Sequence, residues 1–257
     1  MTLATLIVGC SPAENHSDIV INNVTVIDAA SEPRSQRSVV IRNDRIFAVN
    51  PALSTEAAAA ENVIDATGKY LIPGLWDMHV HFLYEPKLTE HMADLFLQYG
   101  VTSVRDTGGN LEELVKLRER LRQRARPTPR VFFSGPLLDG QFPVYDGSDP
   151  ARPALGIDVA TRAAAHASVK ALKAAGADLI KIYELVQPDV YQALVDAARR
   201  ENLPIASHVP LMLTADQAGP LADSMEHLRN IELACASNWR DLLKQRQATF
   251  TAFTEGL

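Results

Sequence analysis

The chain has 257 residues, 47% of them hydrophobic and 22% charged, with a formal net charge of -6. This is the make-up of a globular protein with apolar material for one large domain, or one domain and a smaller one, and no basic stripe marks a nucleic-acid surface. Only two cysteines occur, Cys10 and Cys235, which excludes a disulfide framework and a cysteine-based zinc site, so a bound metal must be held by histidine, carboxylate or modified lysine.

The first stretch, Leu3-Ala4-Thr5-Leu6-Ile7-Val8-Gly9-Cys10, resembles the end of a bacterial lipoprotein signal, in which a cysteine after a small residue is lipidated. Residues 1–17 read either as that leader or as a frayed apolar terminus. The first reading places the protein in the cell envelope or periplasm, touching membrane only through lipid on Cys10, and the second leaves it cytoplasmic. No other stretch is long and apolar enough to span a bilayer.

Residues 18–69 read as a small β-sandwich-like module. Short β-prone runs at residues 19–21, 24–27, 39–41 and 45–49 are separated by turn signals at Asn22-Asn23 and Asn43-Asp44, the second placed as a hairpin turn. An Ala-rich interruption over residues 54–61 precedes one more strand at residues 63–66.

Residues 70–81, Tyr70-Leu71-Ile72-Pro73-Gly74-Leu75-Trp76-Asp77-Met78-His79-Val80-His81, predict a buried strand. Alternation along a strand puts His79 and His81 on one face, where two imidazoles can grip one metal ion or serve as ordinary core histidines. Helix and strand signals then alternate, the mark of a parallel α/β architecture. Helices are expected over residues 88–99, 111–126, 158–175 and 188–202, with a short one near Thr214. Strands are expected over residues 101–106, 130–135, 178–183, 204–208 and 223–227. Residues 136–157 predict a long loop of the functional kind.

Lys181 stands inside an apolar strand, sharing a face with Leu179 and Tyr183. A charged lysine there requires a counter-charge or a chemical change. His208 and His227 each fall at the carboxyl end of a strand, where βα barrels build their sites. Four of the seven histidines thus lie at strand ends, while His16, His91 and His166 receive no role. Arg105 reads either as a group that meets a carboxylate or as a structural ion-pair partner of Asp106.

Taken together, the segment Gly74-Leu75-Trp76-Asp77-Met78-His79-Val80-His81, the stretch from Gly100 to Gly109, the Lys181 strand, His208 and His227 resemble the amidohydrolase superfamily. The imidazolonepropionase-like and prolidase-like metal-dependent hydrolases are the most similar branch, over about residues 18–227. The resemblance implies a TIM-type (β/α) barrel after the β module, holding one or two divalent metals, with zinc suited to imidazole and oxygen ligands. It implies His79 and His81 on one metal, His208 and His227 on the other, and a carboxylated Lys181 bridging them. Tyr183 is the candidate catalytic residue, holding substrate or its oxyanion. The implied chemistry is hydrolysis of a small-molecule amide, dipeptide or cyclic amide by metal-activated water.

The family pattern also expects an Asp at the end of an eighth strand. The one Asp after His227 is Asp241, in a helical-looking stretch. About six of eight units are expected over residues 70–257, so the expectation is a C-terminally truncated, incomplete barrel. Such a chain is a fragment, a homo-oligomer closed by self-association, or a non-catalytic remnant that binds metal or ligand. The ending around Phe250 reads as a stray strand.

Overall fold

A computed structural model describes residues 19–51, 60, 62–150 and 152–255. Cys10 and nearly all of the Ala-rich interruption lie outside the described residues. The chain divides into two compact units, residues 1–73 and 74–257.

In the first unit β1 (Ile19–Asp28), β2 (Ser31–Arg42), β3 (Arg45–Pro51), β4 (Asn62–Asp65) and β5 (Tyr70–Leu71) form a single five-stranded sheet, ordered β3-β2-β1-β4 with β5 also on β1. The described strands therefore make one layer, where a sandwich needs two. Asn43 and Asp44 both take positive φ, 49° and 59°, the mirror-image turn whose twist suits a two-residue hairpin. Asn22-Asn23 is not a turn: β1 runs through it, with Asn23 at φ 55° and a register shift against β2. That is a bulge.

The second unit contains β6 (Leu75–Val80), α1 (Pro86–Gln98), β7 (Val101–Asp106), α2 (Leu111–Arg122), β8 (Arg130–Phe133), β9 (Leu137–Asp139), β10 (Gly156–Asp158), α3 (Arg162–Ala174), β11 (Ile180–Ile182), α4 (Pro188–Arg200), β12 (Ile205–Ser207), α5 (Ala215–Ala218), β13 (Ser224–Met225) and α6 (Trp239–Glu255). Two sheets result, β6-β7-β8 and β10-β9-β11-β12-β13, with every pairing parallel. Asp178, entering β11, connects them: its N–H donates to the Phe133 carbonyl at 2.9 Å, and its carboxylate accepts the Phe133 N–H at 3.0 Å. Among the described residues no backbone hydrogen bond joins the outer strands, β6 and β13.

Several sequence expectations change here. Residues 70–81 are two strands, because Pro73 lacks a ladder donor and separates β5 from β6. β6 is a sheet edge rather than a buried strand, and Leu75, Trp76 and Met78 are each nearly half exposed. The expected long loop contains β9 and carries β10 at its end, so Asp158 belongs to a strand and not to the following helix. Phe250 lies in α6.

The core is apolar and lies between helices and parallel strands: Leu114, Leu117 and Leu121 of α2, Val169 and Leu172 of α3, and Val190, Leu194 and Val195 of α4 pack with Val104, Ile180, Ile182 and Ile205. Each such side chain contributes about 1.5–3 kcal/mol by leaving water. α4 begins with Pro188 in its first turn beside Asp189 and ends on Arg199 and Arg200, matching the fixed φ of proline and the helix dipole.

Asp106 is fully buried and does not pair with Arg105. Its carboxylate accepts the N–H groups of Phe82 (2.7 Å) and Gly108 (3.0 Å), tying the segment after His81 to the turn after β7. Burial pushes its pKa up to about 7 against the pull of these two bonds. Asp106→Ala leaves both donors unpaired, at about 1–3 kcal/mol each. Urea denaturation of the variant is therefore expected to show a loss of roughly 2–6 kcal/mol, with a smaller loss for Asp106→Asn.

Candidate metal centre

The alternation of β6 brings His79 and His81 to one side, with ring centroids 5.1 Å apart. His208 follows β12 directly and His227 lies two residues past β13. The rings of His79 and His227 are 4.3 Å apart, those of His208 and His227 5.0 Å, and those of Tyr183 and His208 4.5 Å. Together with Lys181 these side chains line a pocket of about 230 Å³. All five expected metal ligands and Tyr183 thus meet in one place.

His227 has φ 64°, and Leu228 and Asn230 are also in the left-handed region. For L-residues this costs about 1–2 kcal/mol each. It turns the chain sharply at the point where the His227 ring faces His79.

Lys181 is 1% exposed, and its Nζ has no hydrogen-bond partner. Burial brings its pKa down to about 7, with the charge of Glu226 opposing and that of Arg105 assisting. His208 falls to about 4, again through burial, although its bond to Glu184 pulls the other way. Burial lowers His81 and His227 as well, and it raises Tyr183, with the Glu184 charge adding to the effect. Burial therefore favours the neutral forms of His81, His208, His227 and Lys181 and the protonated phenol of Tyr183, and neutral nitrogen is what a metal requires.

Each of three imidazoles spends its Nδ1 outside the pocket. His81 Nδ1 is 2.9 Å from the Gly108 carbonyl, which can only accept, so that nitrogen carries the proton and Nε2 keeps a lone pair. His208 Nδ1 is 2.9 Å from Glu184, which also accepts Arg229 Nε at 2.7 Å. His79 Nδ1 is 2.5 Å from Glu226. Metal-binding histidines are held in this way by outer acceptors. Among the described residues no three His, Cys, Asp or Glu side chains already stand as a metal cage. The donor set fits a metal through its imidazoles and through the orphaned Lys181 Nζ, which among the described residues is buried with nothing to bond.

Sequence reading missed Glu184 and Glu226, both nearly buried. The available signal was an acid beside each strand-end candidate, Tyr183-Glu184 and Glu226-His227. Arg105 also belongs here, donating to Glu226 at 2.7 Å.

No family model matches the chain. Over 90 residues, 34% of this chain and 14% of the relative, it is 34% identical to an adenine deaminase of Desulforamulus reducens. Over 78 residues, 30% of this chain and 17% of the relative, it is 38% identical to a dihydroorotase of Trichlorobacter lovleyi. Over these stretches the chain is similar to proteins of the amidohydrolase superfamily. Solved amidohydrolase-type structures share its fold: a Xaa-Pro dipeptidase with methionine bound in its active site has a TM-score of 0.70 at 22% identity, covering 90% of this chain and 65% of that one. Phenylurea hydrolase B has a TM-score of 0.69 at 23% identity, covering 82% and 60%. The match spans under a fifth of either curated relative and about two-thirds of the dipeptidase.

The lowered pKa of Lys181 has a consequence for stability. Between about 7 and its ordinary 10.5 the unfolded lysine is protonated and the folded one is not, so the unfolded state binds more protons and stability rises with pH. Metal-free protein is expected to become more resistant to urea as pH rises from 7 to 10. Lys181→Met is expected to be more stable than the parent at pH 7 and to lose that part of the slope.

Proposed function

We propose that the chain is the metal-site portion of a hydrolase that cleaves C–N bonds in an amide, dipeptide or cyclic amide, on an arc of a TIM-type (β/α) barrel. The observation that carries this reading is the meeting of four histidines and a buried, unpartnered lysine in one pocket. Names among the relatives and structural neighbours support the bond class: adenine deaminase, dihydroorotase, Xaa-Pro dipeptidase and phenylurea hydrolase.

His79, His81, His208 and His227 would hold one or two divalent cations, with zinc the best match to imidazole and oxygen donors. Bound there, a cation supplies Lewis acidity, polarising a carbonyl and lowering the pKa of water towards about 7. The neutral Lys181 amine adds to carbon dioxide: an N–C bond forms as one C=O π pair moves onto oxygen, a nitrogen proton leaves to solvent, and the neutral amine becomes an anionic carboxylate. The Tyr183 phenol, kept protonated by burial, donates a hydrogen bond to the oxygen on which negative charge develops. Tyr145, 6.0 Å from Tyr183 ring to ring, and Tyr84, 6.3 Å beyond it, give the pocket an aromatic wall suited to a planar amide.

A second reading, metal or ligand binding without turnover, has its own observation. Among the described residues the pocket wall contains no Asp or Glu to move a proton between water and leaving group. Zinc analysis of the purified chain, with hydrolysis assays on dipeptides, N-acyl amino acids and cyclic amides, separates the two. The hydrolase reading expects bound zinc, turnover, and loss of both in His81→Ala. Zinc without turnover selects the second reading, and a folded chain that takes up neither zinc nor another divalent cation removes the hydrolase reading. Carbon-13 NMR after incubation with labelled bicarbonate is expected to show a carbamate resonance that Lys181→Met abolishes.

A further inference from the structure

His79 and His227 belong to different sheets. β6 is the edge of the three-stranded sheet and β13 the edge of the five-stranded one, and no backbone ladder joins them among the described residues. Their rings nevertheless lie 4.3 Å apart. The connection across this gap is made by side chains.

Glu226, the residue after β13, is 7% exposed and faces His79 Nδ1 through one oxygen at 2.5 Å. Its other oxygen accepts Arg105 Nη2 at 2.7 Å and the Ser224 hydroxyl at 2.8 Å. Arg105, on the central strand β7, also donates through Nε to the Met78 carbonyl at 2.7 Å and through Nη1 to Ser224 Oγ at 3.0 Å. One guanidinium therefore binds the backbone of β6, a side chain of β13 and the carboxylate that meets His79.

We propose that Glu226 and Arg105 are positioning residues, a clasp across the two sheet edges that sets the orientation and tautomer of His79. A carboxylate accepting from Nδ1 keeps the proton there and leaves Nε2 as the nitrogen with a lone pair for a ligand. Stability alone is a poor account of the arrangement, since a buried ion pair about breaks even against apolar packing of the same volume. His208 needs no such clasp: its partner Glu184 follows β11, the hydrogen-bonded neighbour of β12, and the associated Arg229 is 59% exposed.

The inference rests on the pocket being a metal site, and the test keeps the two apart. In nitrogen-15-labelled, metal-free protein, long-range proton–nitrogen spectra read the His79 tautomer, with the signal assigned by its loss in His79→Gln. The parent is expected to show Nδ1–H. Glu226→Ala is expected to revert to Nε2–H, the form a free histidine side chain prefers in water, whereas Glu226→Gln, whose amide oxygen still accepts, retains Nδ1–H. Zinc affinity by chelator competition is expected to weaken about 10–100-fold in Glu226→Ala and in Arg105→Met, with Glu226→Gln closer to the parent. If Glu226→Ala does not fold, Arg105→Met is expected to show mixed tautomers alongside weakened zinc binding.

Nε2–H in the parent, or parental tautomer and parental zinc affinity in the variants, overturns the clasp and leaves the metal reading standing. A parent that binds no zinc but whose His79 switches tautomer in Glu226→Ala retains the clasp and overturns the metal reading.

Discussion

An amine buried without a partner is the constraint around which the pocket is built. Ile180 and Ile182 on either side of Lys181 are fully buried in the core, and strand alternation then forces the lysine to the opposite face. It cannot be turned out without burying polar groups in place of the isoleucines. At 1% exposure burial favours the neutral amine over an unpaired ammonium, which leaves the group open to chemistry that gives it a charge the pocket can use. His81 and His208, whose pKa values burial lowers, add no counter-charge.

The other ligand candidates are governed by what lies behind them. His81 leans on a backbone carbonyl, while His79 and His208 face buried carboxylates that are in turn held by arginines. A surface pair of this kind contributes little, but at a few percent exposure each carboxylate requires its donors, and the donors come from several elements. The surroundings of the His79 ring nitrogen thus involve β6, β7 and β13 together, while those of His208 involve β11 and β12. The gap between β6 and β13 makes this most evident, because side chains there do the joining that a ladder does elsewhere in the unit.

Much of the fold was legible in the residues themselves. The change from short β runs to alternating helix and strand, the Asn43-Asp44 turn, and the strand-end histidines all express short-range rules of periodicity, turn chemistry and side-chain alternation. The errors fell where long-range pairing decides. Asn22-Asn23 reads as a turn, but pairing with β2 carries the strand through it as a bulge. Leu137 and Gly156 sit in a stretch too irregular to suggest strands, and β9 and β10 exist because β11 offers β9 an edge and β9 then offers one to β10. The apolar run around Trp76 reads as buried, yet a strand with a neighbour on one side only remains half open to solvent.

By itself the sequence determined which residue types stand at strand ends: two histidines at alternate positions, a lysine in an apolar strand, and two later histidines. Local periodicity is enough for that. Only the tertiary structure decided that these groups share one pocket, that Arg105 serves Glu226 rather than Asp106, and that Glu184 and Glu226 stand behind the histidines. Those contacts join residues 24 positions apart for His208 and Glu184, 121 for Arg105 and Glu226, and 147 for His79 and Glu226. The physical reason is that strand register and the shape of the gap select partners, and neither leaves a local mark in the chain.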